Sequence, residues 1–322
     1  MLRRALGLAA VSLGCGVALG CAPERPKGPP PAPPVAAASD LIPPDLDVVV
    51  RLDLGRVKSA LGGAAVALLS REALAKGGLA EDQLVVASLL EADVVYLAYR
   101  PSRLLLPLDR VLALQGRFAA DVKPPSGFSG VATDLGGDIR YWERRPGTPF
   151  PRESVARIYA IGDRVRAFVS EAELDSMQRL LNGQGAERRL QAPEEGTLSL
   201  AARPQLLARL AAGDSLRELL EGAQQLRVVV DLEADGVRLE LELGLEDAES
   251  AARLVKASGA LIERAAARAG LAPFTEPPVK TGHAPWLRAE GARALLSARF
   301  SRAQLAPVLA CFGATSAAEC PW

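Results

Sequence analysis

Apolar and polar residues alternate at period two along much of this chain, which limits the fold to one rich in β-strands. The clearest case is the segment 225–245, where Asp235-Gly236 separates two alternating runs. Asp-Gly favours a type I′ turn, so the segment predicts a β-hairpin with a two-residue loop. In that register Leu232 lies opposite Leu239, Val230 opposite Leu241 and Val228 opposite Leu243, and all six side chains share one face.

The same reasoning predicts an alternation of strands and helices. Strands are expected at 48–54, 93–99, 111–118, 138–143, 156–170 (a hairpin turning at Gly162-Asp163), 198–200 and 296–300. Helices are expected at 57–75, 81–91, 171–181, 204–211, 216–222 and 246–269. Ser170 and Glu173 form a capping box for helix 171–181, and Asn182-Gly183 ends this helix. The segment 127–130 is expected to lie in a Pro/Gly-rich loop. The pattern predicts an α+β fold built on antiparallel sheet.

Two stretches of the chain share one order of residues. Alternating apolar residues run into a serine and then into a helical stripe, first as Val165, Ala167, Val169, Ser170, Leu174, Met177 and Leu181, then as Leu296, Ala298, Phe300, Ser301, Leu305, Val308 and Phe312. Ser301 and Gln304 repeat the capping box. We therefore predict two similar modules, 40–188 and 189–322, each an antiparallel sheet with packed helices. The alternative is a chance likeness between two capped α+β segments.

The N-terminus carries an export signal. Arg3 and Arg4 precede an uncharged apolar run, 5–20, which is shorter than the roughly 20 residues that a membrane span needs. The run ends in Ala-Leu-Gly-Cys, and this string resembles the lipobox of bacterial lipoproteins, although Ala18 stands where that pattern usually has leucine. The resemblance implies a signal peptide at 1–20 and lipidation of Cys21, and Ala22 favours the outer membrane. An ordinary signal peptide cut at the same place is the alternative.

The remaining cysteines and the proline-rich segment fit an exported protein. Cys15 leaves with the signal, so Cys311 and Cys320 remain as an even pair and are predicted to form a disulfide in an oxidising compartment. Seven prolines lie between Cys21 and Ser39, which predicts a polyproline linker at 21–39 of about 3 Å per residue. A PxxP ligand for a partner domain is the alternative reading of this linker.

Composition excludes several function classes. The chain has 38 basic and 38 acidic residues and only 4% aromatics, which disfavours nucleic-acid binding. His283 is the one histidine, and no nucleophile elbow, P-loop or dinucleotide fingerprint occurs, so we predict no catalytic residue, no cofactor and no metal. Asp231, Glu233 and Glu242 have EF-hand spacing, but the flanking segments alternate as strands rather than helices.

These observations predict a non-enzymatic binding or scaffolding lipoprotein. It would be held at the cell envelope by its lipid, face the periplasm and bind a periplasmic protein or a small ligand. The alternative is a membrane-anchored hydrolase that uses carboxylates, or a serine with His283. No acid adjacent to His283 in the sequence would orient its imidazole, so we expect this histidine to be dispensable.

The lipid anchor predicts the behaviour of a Cys21→Ala variant. Because acyl chains would supply the membrane affinity, the variant should take up no labelled palmitate and should be soluble or uncleaved. Metabolic labelling followed by membrane fractionation measures both properties, with Cys15→Ala as the matched control that keeps its label. Label retained in Cys21→Ala would contradict the assignment.

Overall fold

The computed structural model describes a little over half of the chain, from Ala37 to Ser301 with gaps. The described residues are 37–62, 83–100, 109–119, 124–125, 127–131, 139–146, 155–184, 189–204, 217, 222–233, 236–268 and 287–301. The predictions made for Cys21, His283, Cys311 and Cys320 lie outside these ranges, as do those for the signal peptide and, beyond residue 204, for helix 204–211. Among the described residues, no helix is long and apolar enough to cross a membrane.

In the part of the chain that the structure describes, twelve strands form one antiparallel sheet. Their bounds are β1 Val48–Asp53, β2 Ala92–Arg100, β3 Asp109–Gly116, β4 Phe128–Val131, β5 Ile139–Arg144, β6 Val155–Ile161, β7 Val165–Ser170, β8 Leu198–Ala202, β9 Gln225–Leu232, β10 Gly236–Gly244, β11 Leu287–Glu290 and β12 Arg293–Ser301. The strand order is β11-β12-β10-β9-β8-β1-β2-β3-β7-β6-β5-β4. The predicted α+β class with antiparallel sheet is confirmed, and β4 corrects the prediction that 127–130 is a loop.

Four α-helices accompany the sheet in the described residues. They are α1 Leu54–Leu61, α2 Gln83–Glu91, α3 Leu174–Leu181 and α4 Ala248–Arg268. Helix α1 begins three residues before the predicted start, because the Asp53 side chain accepts a hydrogen bond from Arg56 N at 2.9 Å and caps it. The folded part of the chain begins before residue 40. A 3-10 turn spans Ala38–Leu41, and its first and last side chains are fully buried.

The predicted capping box before α3 is wrong. Ser170 makes no side-chain cap bond, because its hydroxyl accepts a hydrogen bond from Arg110 N of the neighbouring strand β3 at 2.9 Å. A 3-10 turn, Glu171–Glu173, precedes α3, and Glu173 is buried against Arg100 instead of reaching back to the cap. Gly183 follows the helix with φ of 77°, so the predicted helix end is confirmed.

The β9–β10 hairpin is confirmed, but its predicted register is wrong by two residues. Leu232 pairs with Val237, Val230 with Leu239, Val228 with Leu241 and Leu226 with Leu243. The backbones of Glu233 and Gly236 bond to each other in both directions. A shift of two keeps every side chain on its face, which is why the apolar pattern alone does not distinguish the registers. In the observed register Asp231 lies opposite Arg238 and the two form an ion pair.

The two faces of the sheet differ in what covers them. Face A carries the side chains of Leu52, Val95, Leu114, Leu226 and Leu243, against which α2 and α4 pack. Face B carries Val49, Ala98, Val111, Ala113 and Ala167 in the first half of the chain, and α3 packs there together with Leu41, Ile42 and Leu46. Both faces of the first half are therefore core.

The strand order repeats on either side of the central pair β1 and β8. One side reads β1-β2-β3-β7-β6 and the other β8-β9-β10-β12-β11. The residue correspondence proposed from the sequence does not follow this order, however. Val165, Ala167 and Val169 lie opposite β3 residues on face B, whereas Leu296, Ala298 and Phe300 lie opposite Leu241, Leu239 and Val237 on face A.

Strands β1 and β8 join the two halves. They pair from Val48 opposite Ala202 to Leu52 opposite Leu198. Beyond the ladder, Asp53 N donates to Thr197 O at 2.8 Å and Arg203 N donates to Asp47 O at 2.9 Å. All described residues accordingly belong to one compact unit, 31–322.

Gly196, just before β8, has no room for a side chain. Its φ is 76°, and a Cβ there would lie 2.6 Å from Val229 Cγ1 and 2.9 Å from Val230 O. Gly291 is the matched control, with φ of 55° and nothing within 4 Å of its Cβ position. Gly196→Ala should lower the free energy of unfolding by about 2 to 4 kcal/mol through strain plus overpacking, and Gly291→Ala by about 1 kcal/mol through strain alone. Urea denaturation measures both, and equal losses would contradict the close approach of Gly196 to β9.

Candidate functional site

A groove on face B of the second half is the candidate site. It has a volume of about 590 Å³, within the range of small-molecule sites. Strands β9, β10, β12 and β11 form its floor, and the segment 191–195, which leads to β8, forms one wall. By strand order, this is the part of the sheet that corresponds to β2, β3, β7 and β6, where α3 packs in the first half.

The floor consists of two rows of side chains set by the register. One row runs Arg227, Glu242, Leu295, Arg288 across β9, β10, β12 and β11, since each of these residues pairs directly with the next. The other row runs Val229, Glu240, Ser297 across β9, β10 and β12. The floor is thus continuous across four strands, and Val229 and Leu295 are its apolar members among charged side chains.

The wall is fixed to the sheet at both of its ends. Ala192 is buried in the face B core, and Pro193 O accepts a short hydrogen bond from the Ser199 hydroxyl of β8. At the other end Gly196 lies against β9, and its carbonyl accepts a hydrogen bond from the Arg51 guanidinium at 3.4 Å. Between these anchors Glu194 and Glu195 are exposed.

The charges of the groove fall into paired and unpaired sets. Glu240 forms an ion pair with Arg238 at 3.2 Å, Glu242 with Arg293 at 3.7 Å and Arg288 with Glu290 at 2.8 Å. In the described part of the chain, Glu194, Glu195 and Arg227 have neither an ion pair nor a side-chain hydrogen bond. These three are the charged side chains of the groove that are free to meet a ligand.

A second charged cluster lies where β2 meets α3. Arg100 donates to both carboxylate oxygens of Glu173, at 2.9 and 3.0 Å, and to Asp45 at 2.8 Å. Asp45 also accepts from Ser176 and Arg179, both at 3.0 Å. The Glu173 side chain is only 1% exposed, so this network fastens α3 to the sheet.

The residues singled out from the sequence are distributed as follows. Cys21, His283, Cys311 and Cys320 lie outside the described residues. Asp231 of the EF-hand-like spacing accepts from Thr197 at 3.0 Å and pairs with Arg238, and the described part of the chain holds no cluster of acids, histidines and cysteines fit for a metal.

The groove residues were not found from the sequence. Glu194 and Glu195 lie in a segment with no helix or strand pattern. In β9 and β10, only the apolar half of the alternating pattern was used for the prediction. The available signal was the polar half of that same alternation, Arg227, Asp231, Glu240 and Glu242, which marks a strand face that is not apolar core.

Comparisons with known proteins add a distant likeness. No protein-family model and no curated protein matches the chain. Crystal form I of TP0453 has a TM-score of 0.46 and 14% identity, covering 86% of this chain and 97% of that one. Crystal form III of TP0453 has a TM-score of 0.43 and 16% identity, covering 86% and 98%. A likeness this distant carries no argument about function.

The Arg100 cluster predicts a pH dependence of stability. Burial raises the pKa of Glu173 above its ordinary value of 4.5, and Arg100 offsets this only in part. A carboxyl with a raised folded pKa stabilises the fold at low pH and loses that contribution as the pH rises through the raised value. The unfolding free energy of the wild type, minus that of Glu173→Gln, should therefore fall as the pH rises from about 4 towards 7.

Urea denaturation of the wild type and of Glu173→Gln across this pH range shows whether the difference in unfolding free energy falls or rises with pH. Arg100 and Ser176 hold the pKa of the Asp45 carboxyl below its ordinary value. Because Asp45 is present in both proteins, its contribution to the pH dependence cancels to first order in the difference between their unfolding free energies. A difference that grows with pH would contradict the buried position of Glu173.

Proposed function

We propose that this protein is a lipid-anchored, periplasm-facing binding protein without enzymatic activity, and that its ligand lies in the groove on face B. The observation that carries the proposal is the groove itself, a concave site with an apolar and charged floor, a fixed wall and three unpaired charges. Most ligand sites combine an apolar surface with a few polar groups that fix orientation.

The charge arrangement favours binding over the hydrolase alternative. The floor carboxylates, Glu240 and Glu242, are each in an ion pair with a neighbouring arginine. The wall carboxylates, Glu194 and Glu195, are exposed to solvent. Ion-paired and solvated acids are typical of a recognition surface, whereas a general acid is usually held in an apolar pocket.

The anchoring part of the proposal rests on the lipobox-like Ala-Leu-Gly-Cys and on where the body begins. Ala38 is already buried, only four residues after Pro34, the last proline of the proline-rich segment. A polyproline linker of about 3 Å per residue would hold the unit on the order of 50 Å from the membrane. The Cys311–Cys320 disulfide remains part of this proposal for an exported protein.

We also propose that the two halves are a structural repeat. Their matching strand orders around the antiparallel pair β1 and β8 fit a two-fold axis perpendicular to the sheet. The halves then differ on face B, which is apolar and packed by α3 in the first half and charged in the second. Such a difference is what a duplicated module would need in order to specialise one half for binding.

Native mass spectrometry of the protein purified from its own envelope tests the proposal. Ser297 is an exposed floor residue of β12, so Ser297→Trp should fill the groove without disturbing the core. The wild type should carry a bound mass that Ser297→Trp lacks. Arg140→Trp, at an exposed position of β5 in the other half, is the control and should keep it. An empty wild type, or a bound mass retained in Ser297→Trp, would contradict the proposal.

A further inference from the structure

The unpaired charges of the groove restrict its ligand. Glu194 and Glu195 on the wall supply two free carboxylates, and Arg227 on the floor supplies one free guanidinium. The free charge is therefore negative overall, which favours a ligand with more cationic than anionic groups. The guanidinium favours a ligand that also offers acceptors, because it carries five N–H donors in a fixed fork.

The apolar groups of the floor restrict the ligand further. Val229 lies beside Glu240, and Leu295 lies between Glu242 and Arg288, so the floor offers an apolar contact in each row, next to charged side chains. A ligand that matches the groove needs apolar groups for Val229 and Leu295 on the floor and cationic groups for Glu194 and Glu195 on the wall. An extended peptide meets both needs when basic and apolar residues alternate, because successive side chains point to opposite sides. A simple polyamine supplies the cations but offers no acceptor to Arg227.

The length of the floor fixes the size of the ligand. From Arg227 on β9 to Arg288 on β11 the row crosses three strand spacings, which is about 14 Å. An extended chain covers about 3.3 Å per residue, so four or five residues span the row. Extended backbone also presents carbonyl oxygens at the spacing of a strand, and these can accept from Arg227.

We propose that the groove binds an extended peptide in which basic and apolar residues alternate. The basic side chains pair with Glu194 and Glu195, the apolar side chains contact Val229 and Leu295, and a backbone carbonyl accepts from Arg227. This inference rests on the proposed function, and it adds the chemical class of the ligand.

Isothermal titration calorimetry with three short peptides tests the class. The probes are acetyl-Lys-Leu-Lys-Leu-Lys-amide, its glutamine counterpart acetyl-Gln-Leu-Gln-Leu-Gln-amide, and its acidic counterpart acetyl-Glu-Leu-Glu-Leu-Glu-amide, with spermidine as the cation that lacks a backbone. The basic peptide should bind most tightly, and its affinity should fall as salt is raised. Binding of the acidic peptide as tight as that of the basic one would overturn the proposal.

Substitutions in the groove test whether the basic peptide binds there. The double variant Glu194→Gln, Glu195→Gln should weaken the basic peptide about tenfold, and Arg227→Gln should weaken it by several fold. Glu171→Gln, Asp175→Asn removes two exposed carboxylates near α3 with the same change in net charge and should leave the affinity unchanged. Equal losses in the two double variants would show a nonspecific charge effect and would also overturn the proposal.

The calorimetry and the mass spectrometry together distinguish a wrong ligand class from the absence of any binding function. If the glutamine peptide, the acidic peptide or spermidine binds at least as tightly as the basic peptide, and Ser297→Trp abolishes that binding, the groove binds ligands but the assigned class is wrong. If no probe binds and the protein from the envelope carries no mass that Ser297→Trp lacks, both the class and the binding function are wrong.

Discussion

The antiparallel pairing of β1 with β8 joins the two halves and positions the groove. It makes one sheet of two halves that each fold around their own hairpins. The same junction places the wall of the groove, because the chain enters β8 through Gly196 and Thr197, and Thr197 O accepts from Asp53 N of β1. Arg51 of β1 bonds to Gly196 O, so a residue of the first half holds the wall of a site in the second.

The function proposed here follows from how differently the two halves use face B. In the first half Val49, Ala98 and Ala167 give α3 an apolar surface, and the Arg100 network locks the helix in place. In the second half the corresponding strands present Arg227, Glu240 and Glu242. A charged floor does not favour packing of an apolar helix face, and it leaves room for a polar ligand.

The fold class and most strands could be predicted from the sequence because period-two alternation is a local property. Strands β4 and β11 have only four residues each, too few for the alternation to stand out. The β9–β10 register was missed because a shift of two residues changes no face, and the Ser170 cap was missed because β3 competes for its hydroxyl. The groove depends on register across four strands and on the loop 191–195, which no local pattern contains.

Hydrogen exchange of the backbone amides in β1 and β8, measured under native conditions, tests most directly whether the two halves form one cooperative sheet. If they do, the hydrogen-bonded amides of both strands exchange only through global unfolding, with the same free energy as the core strands β2 and β3. Exchange of the β1–β8 amides through a lower-energy opening, while β2 and β3 stay protected, would show that the halves separate. The wall of the groove would then not be fixed by the junction.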